Sequence, residues 1–339
     1  MSTIIKEIKI IVFTITLIMG ANCYSQRNQT KAKLDTLFQN ALNSKAFNGN
    51  VLIVEKGKIL YEKAFGQADA SNTIQLSKDY RFHIGSIAKE FNAIGIMMLK
   101  EQGKLKLDDP ISKFLPELPS WANKIKIIHL LQYTSGLPQI KWSEVNQDSD
   151  NMAHLQNTLA LDFEPGTKYD YNNNNVFLQR RIIEKITNMN FNSFVVKKIL
   201  KPVGIKNAVV DPDENETLFA KSFNNKGKPD VLKYNISGWT ALNLEDFNKW
   251  SEAINSFKII NPESTRELFE PFSKDSQTGL GAGNIKNGQV ISHIHDGAAF
   301  NYQALLISNL NSTIILMTNN KQNNLEEISN SIQAILKEK

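Results

Sequence analysis

The spacing of apolar residues changes period several times along the chain. From Lys31 to Leu42 they fall on one helical face. The stretch "NGNVLIVEKGKILYEKAFG" then gives two β-rich runs, Val51 to Val54 and Ile59 to Phe65, flanking Gly57. Two such runs around a glycine predict a hairpin. From Ile87 to Gln102 the chain is apolar on nearly every side (Ala88, Phe91, Ala93, Ile94, Ile96, Met97, Met98, Leu99), and Gly103 follows. This predicts a buried central helix closed by a glycine at C′. "IKIIHLLQYTSGLP" predicts a short helix stopped by Gly136 and Pro138, and a further helical run spans Val176 to Ile186. The middle, from about Ile111 to Ile254, carries mostly helical pattern with loops. Strands return at Ala304 to Ser308 and Thr313 to Thr318, joined by a turn at Asn309 to Ser312. A last helix places Leu325, Ile328, Ile332, Ile335 and Leu336 on one face.

Strands at both ends around a helical middle predict an α+β fold: one antiparallel sheet built from both chain ends, with packed helices and an inserted, mostly helical subdomain. The sheet lobe is expected over about 26–85 and 275–339 and the helical lobe over about 86–274, with the site in the cleft between them. At 339 residues and 41% apolar, the chain is large enough for one such domain, and no internal repeat or low-complexity linker divides it.

The N-terminus adds a second expectation. "MSTIIKEIKIIVFTITLIMGANCYSQ" has a basic start (Lys6, Lys9), an apolar run from Ile10 to Ala21, and then small residues. That three-part pattern reads as a secretory signal peptide over residues 1–25, cleaved after Ser25. The run is about 12 residues, short of the roughly 20 that a spanning helix needs. Lipid attachment at Cys23 is the alternative, although Gly20-Ala21-Asn22 matches a lipobox poorly. The protein is therefore expected to be exported, periplasmic or secreted, with membrane attachment only through a lipid on Cys23. Cys23 is the sole cysteine. Cleavage after Ser25 leaves no thiol, which excludes disulfides, thiol catalysis and cysteine-based metal sites. The formal charge of +5 is small and its lysines are scattered, so no nucleic-acid partner is expected.

Three short elements carry candidate chemistry. In "RFHIGSIAKEF", Ser86 and Lys89 stand three residues apart at the start of the central helix, where such side chains meet. A serine hydroxyl needs an adjacent base, and a lysine serves once burial or a nearby cation lowers its pKa. Backbone N–H groups at a helix start would face a developing oxyanion. This is the only Ser-x-x-Lys in the chain, yet about one or two are expected by chance at ordinary serine and lysine frequencies. The second element is "FEPGTKYDYNNNNVF". There the Tyr171 phenol is placed to pass a proton to a leaving group, and Asn173 to bond a substrate amide and hold Lys89. The third is "ISHIHDGAAFNYQALL". There Gly297 would let substrate backbone approach an edge strand, and the Ala298 N–H would be a second oxyanion donor. His293 and His295 alternate on one strand face, but no third ligand at zinc spacing accompanies them, so no metal is expected.

Taken together, Ser-x-x-Lys, Tyr-x-Asn after "PGTKYD" and His-x-Gly near the C-terminus occur in the order seen in penicillin-recognising serine hydrolases. The chain resembles the β-lactamase superfamily, in the branch of class C β-lactamases, D-alanyl-D-alanine peptidases and related esterases. "GKLKLDDPISKFLP", "HLLQYTSGLP", "GWTALNLEDFNKW" and "GLGAG" extend the likeness from about Asn48 to Thr318. The resemblance implies a β-lactamase/transpeptidase-like fold and acyl transfer without a cofactor, acting on a small-molecule or peptide acyl substrate such as one derived from peptidoglycan. It implies Ser86 as nucleophile, Lys89 as base, Tyr171 as proton relay and Asn173 as substrate contact. The N–H groups of Ser86 and Ala298 would form the oxyanion hole. His295 stands where β-lactamases carry a lysine that holds the substrate carboxylate. Histidine is only partly charged near neutral pH, and Asp296 beside it repels a carboxylate, so efficient penicillin hydrolysis is not expected.

Other classes fit less well. An α/β-hydrolase needs Gly-x-Ser-x-Gly, and here Gly85 adjoins Ser86 while Ala88 fills the second glycine position. A catalytically silent peptidoglycan- or peptide-binding module of the same fold is the alternative, distinguished by whether Ser86 can be acylated.

Overall fold

The computed structural model describes residues 25–321 and 325–338. The segment read as a signal peptide, apart from Ser25, lies outside them. Helix α1 covers residues 25–43. The hairpin follows as β1 (Gly49–Glu55) and β2 (Lys58–Phe65), then β3 (Phe82–His83) and a 3₁₀ turn, Gly85–Ala88, that leads into α2 (Lys89–Glu101). The middle contains α3 (Ile127–Leu131), α4 (Asp148–Gln156), α5 (Asn173–Thr187) and α6 (Phe191–Phe194), the last running on as a π-helical segment over Val195–Leu200. Next come β4 (Val209–Val210), β5 (Thr240–Leu242), α7 (Leu244–Asn255) and α8 (Pro262–Phe269). The chain closes with β6 (Ala282–Lys286), β7 (Gln289–Ala299), β8 (Tyr302–Asn309), β9 (Ser312–Thr318) and α9 (Leu325–Lys337).

Six strands form one antiparallel sheet in the order β2-β1-β9-β8-β7-β6, so the N-terminal hairpin joins the C-terminal strands through β1 and β9. Period-2 alternation explains how both faces are covered. Val51 and Ile53 of β1, with Ile314 and Leu316 of β9, pack under α1 and α9 against Leu34, Phe38, Leu325 and Ile332. Their neighbours Leu52, Val54, Ile315 and Met317 face the opposite way, into the larger core shared with α2, α5 and α7. Fully burying each such side chain contributes about 1.5–3 kcal/mol, so this two-sided burial fixes the register. The hairpin turns at Lys56 and Gly57, whose φ values of 48° and 73° are the left-handed pair that a two-residue turn requires.

Two features depart from the sequence pattern. The middle holds less regular helix than expected and includes a small second sheet, β3-β5-β4, which pins β3 just before the Ser86 turn. β6 has no period-2 signal, because "AGNIK" offers no apolar alternation. Its presence makes β7 an internal strand as far as Ile294, which pairs with Ala282. Among the described residues no strand pairs with the outer edge of 295–299.

Candidate active site

The site forms where the Gly85–Ala88 turn rests on that free end of β7. Gly85 adopts φ +56°, and a Cβ there would stand 2.3 Å from the Ala298 nitrogen. A Cβ on Gly297 would stand 2.1 Å from the Ile84 oxygen and 2.8 Å from the Ser86 nitrogen. Both positions therefore need glycine. Gly297 was expected to admit substrate backbone. It admits the protein's own Ile84–Ser86 backbone instead, and so sets the amides of Ser86 and Ala298 side by side. Behind the turn, the Gly85 N–H donates to His83 Nδ1 at 2.9 Å. His83 is fully buried, and desolvation together with the nearby Lys89 charge holds its pKa down to about 3, so the ring is a neutral acceptor.

Lys89 Nζ lies 2.8 Å from Ser86 Oγ. The 3₁₀ turn explains the contact, since its side chains at i and i+3 eclipse. The Ser86 hydroxyl caps no helix: α2 begins at Lys89 with Ala88 as N-cap and no side-chain cap bond. Burial, reinforced by the Arg180 charge, lowers Lys89 to about 7, so a large fraction is neutral at physiological pH. The amine sits 5.1 Å from the centroid of the Tyr171 ring and 5.7 Å from that of Trp239. Arg180 is itself buried on α5, close to the carboxylates of Asp148 and Asp211.

Tyr171 precedes α5, whose N-cap Asn172 accepts from the Asn174 N–H and donates to the Leu137 carbonyl at 2.6 Å. The Tyr171 ring packs against Tyr133 at 4.8 Å. Burial raises the phenol to about 12 despite its contact with the Ser86 hydroxyl, so it carries its proton at neutral pH. Asn173 is half-buried. Among the described residues its side chain makes no hydrogen bond, and the expected bond to Lys89 is absent.

The third element is arranged differently from its reading in sequence. His295 is 3% exposed, and its Nδ1 donates to Glu90 Oε1 at 2.6 Å; His293 Nε2 donates to the same oxygen at 2.9 Å. Trp250 Nε1 on α7 donates to Glu90 Oε2. Burial alone would raise the Glu90 carboxyl. The charge of His293 and the hydrogen bonds of both imidazoles outweigh it and hold the group at about 2. The expectation that His295 meets the substrate is thereby narrowed to Nε2, since Nδ1 is committed to Glu90. The sequence lacked a third ligand for a histidine metal pair, and Glu90 now stands there, the three donor atoms lying within 4.8 Å of one another. Two ligands of one tetrahedral zinc lie roughly 3.3 Å apart, given bonds of about 2.0–2.2 Å. The 2.6 Å and 2.9 Å contacts fit shared hydrogen bonds on one oxygen better.

His83, Glu90, Tyr133, Arg180 and Trp239 join the site without being among the candidate residues of the three sequence elements. Glu90 had a readable signal, a charged residue inside a helix apolar all round. Its partners, Trp250 at 160 residues' separation and His293 and His295 more than 200 residues later, did not announce that they meet it.

The family model described as Beta-lactamase matches residues 34–336. Penicillin-binding protein 4* of Bacillus subtilis is 35% identical over 187 residues, covering 52% of this chain and 41% of that protein. Protein flp of Staphylococcus aureus is 26% identical over 326 residues, covering 86% of this chain and 63% of that protein. The chain thus spans less than two thirds of the length of either relative. Among solved structures, FmtA from Staphylococcus aureus superposes with a TM-score of 0.75 at 23% identity, over 90% of this chain and 89% of that one. A class C β-lactamase superposes with a TM-score of 0.76 at 18% identity, over 91% and 96%. These likenesses extend over the whole α+β architecture, and the family match covers the Ser86, Tyr171 and His295 elements alike: the chain belongs to the β-lactamase superfamily of serine hydrolases.

Proposed function

We propose that this chain is an active serine hydrolase that cleaves an amide or ester through an acyl-enzyme on Ser86. The observation that carries this reading is the 2.8 Å approach of Lys89 Nζ to Ser86 Oγ in surroundings that lower the lysine to about 7. Neutral Lys89 accepts the hydroxyl proton as Oγ bonds to the substrate carbonyl carbon. The resulting oxyanion is bound by the N–H groups of Ser86 and Ala298. Tyr171, protonated at neutral pH, gives its proton to the leaving amine or alcohol as the carbon–heteroatom bond breaks, and Lys89 restores it. Water then attacks the acyl-enzyme with the same groups in reverse, releasing the acid and free Ser86.

Asn173 is assigned to a substrate amide, as its side chain makes no hydrogen bond among the described residues. Peptidoglycan-derived peptides are a reasonable substrate class, given relatives named as penicillin-binding proteins. Efficient β-lactam turnover is not expected, because Asp296 is exposed beside His295. Export is proposed from the pattern of residues 1–25. Among the described residues no helix is long and apolar enough to cross a membrane.

The test is turnover of a short acyl thioester and of benzylpenicillin by wild type and Ser86→Ala. Thioester hydrolysis by wild type alone supports the reading. Binding without turnover or covalent adduct would overturn it in favour of a silent binding module.

A further inference from the structure

The free end of β7 carries a carboxylate that the mechanism does not use. Inward positions alternate along the strand: His293, His295 and Gly297 are buried, while Asp296 between them is exposed. It stands two residues beyond the end of the β6 pairing at Ile294 and next to Gly297, which touches the nucleophile turn. Among the described residues Asp296 has no hydrogen-bond or ion-pair partner. Lys89 and Arg180, the cations around the site, are both buried and make no ion pair with it. Left alone, this negative charge opposes the oxyanion that forms beside Ser86 and Ala298. A positive charge on the substrate removes that opposition.

The surroundings also suit a cation. The Tyr171 and Trp239 rings flank the nucleophile's lysine. Beyond them Phe300, 42% exposed, meets Tyr234 at 6.1 Å, and Tyr234 stacks on Trp239 at 6.4 Å. Aromatic faces attract ammonium groups, and a carboxylate beside them adds Coulomb attraction.

We propose that Asp296 is a specificity-determining residue that selects substrates bearing an ammonium group close to the scissile carbonyl. This deepens the hydrolase reading and rests on it. The preference is the reverse of one for a substrate carboxylate.

Two matched pairs of esters test it. In one pair the cation is on the leaving group, butyrylthiocholine against 3,3-dimethylbutyl thiobutyrate. In the other it is on the acyl group, an aryl ester of 4-trimethylammoniobutyrate against that of 5,5-dimethylhexanoate. Each kcat/KM is divided by the ester's own alkaline hydrolysis rate. In at least one pair wild type should favour the cation roughly tenfold at low ionic strength, with the ratio shrinking in salt. In Asp296→Asn the ratio should fall to about one, the scale being set by loss of one unit charge. A wild-type ratio of one in both pairs, or a preference kept in Asp296→Asn, overturns this inference while leaving the hydrolase intact. No turnover of any ester by folded wild type overturns both.

Discussion

Gly297 faces Ile84 so closely that a Cβ built on it would stand 2.1 Å from the Ile84 oxygen. This contact fixes the height of the Gly85–Ala88 turn above β7, and with it the spacing of the Ser86 and Ala298 amides. Gly297→Ala should push the turn away and lower kcat about tenfold or more, as loss of one oxyanion donor costs 10²–10³ in rate. Circular dichroism and steady-state kinetics check this: native-like secondary structure with reduced kcat is expected. Full activity would show that the turn does not depend on this contact.

The Ser86 hydroxyl bonds to Lys89 and caps no helix. Ser86→Ala is therefore expected to abolish acylation while changing stability by less than about 1 kcal/mol, the usual loss on removing a cap. A thermal melt beside an activity assay separates the two effects.

The buried Glu90 carboxylate joins α2 to β7 and α7 through His293, His295 and Trp250. Its folded value of about 2 lies below the ordinary 4.5, so the unfolded chain takes up its proton first as pH falls. Its contribution to stability is complete above about pH 4.5 and is lost progressively toward pH 2. Glu90→Gln should destabilise by about 3 kcal/mol or more, as breaking a buried charged network does. It should also flatten the acid side of the stability profile, which denaturant melts from pH 2 to 6 would show. An unchanged profile would mean that the carboxylate is not the group responsible.

The parts legible in sequence were those with local signals. Ser86 and Lys89 share one turn, and the apolar run after them announced α2. The hairpin around Gly57 and the strands at Ala304 and Thr313 showed their period directly. What stayed hidden depended on contacts distant in sequence. Gly297 read as an opening for substrate because nothing local shows that Ile84 fills the space. His293 and His295 read as an incomplete metal pair because Glu90 lies on a different element. β6 was hidden because Ile285 is the only large apolar residue in "AGNIK" and leaves no alternation, and its pairing makes β7 internal only as far as Ile294.

Lys89, lowered to about 7, is the group that should activate Ser86. The most direct measurement is the rate of Ser86 acylation by a fluorophosphonate between pH 5 and 9, followed by intact mass with the adduct located by peptide mapping. A single adduct on the Ser86 peptide is expected. Its rate should rise with pH through about 7 as Lys89 loses its proton, and fall by several orders of magnitude in Lys89→Ala. A folded wild type that forms no adduct, or a rate unaffected by Lys89→Ala, would show that Lys89 does not activate Ser86.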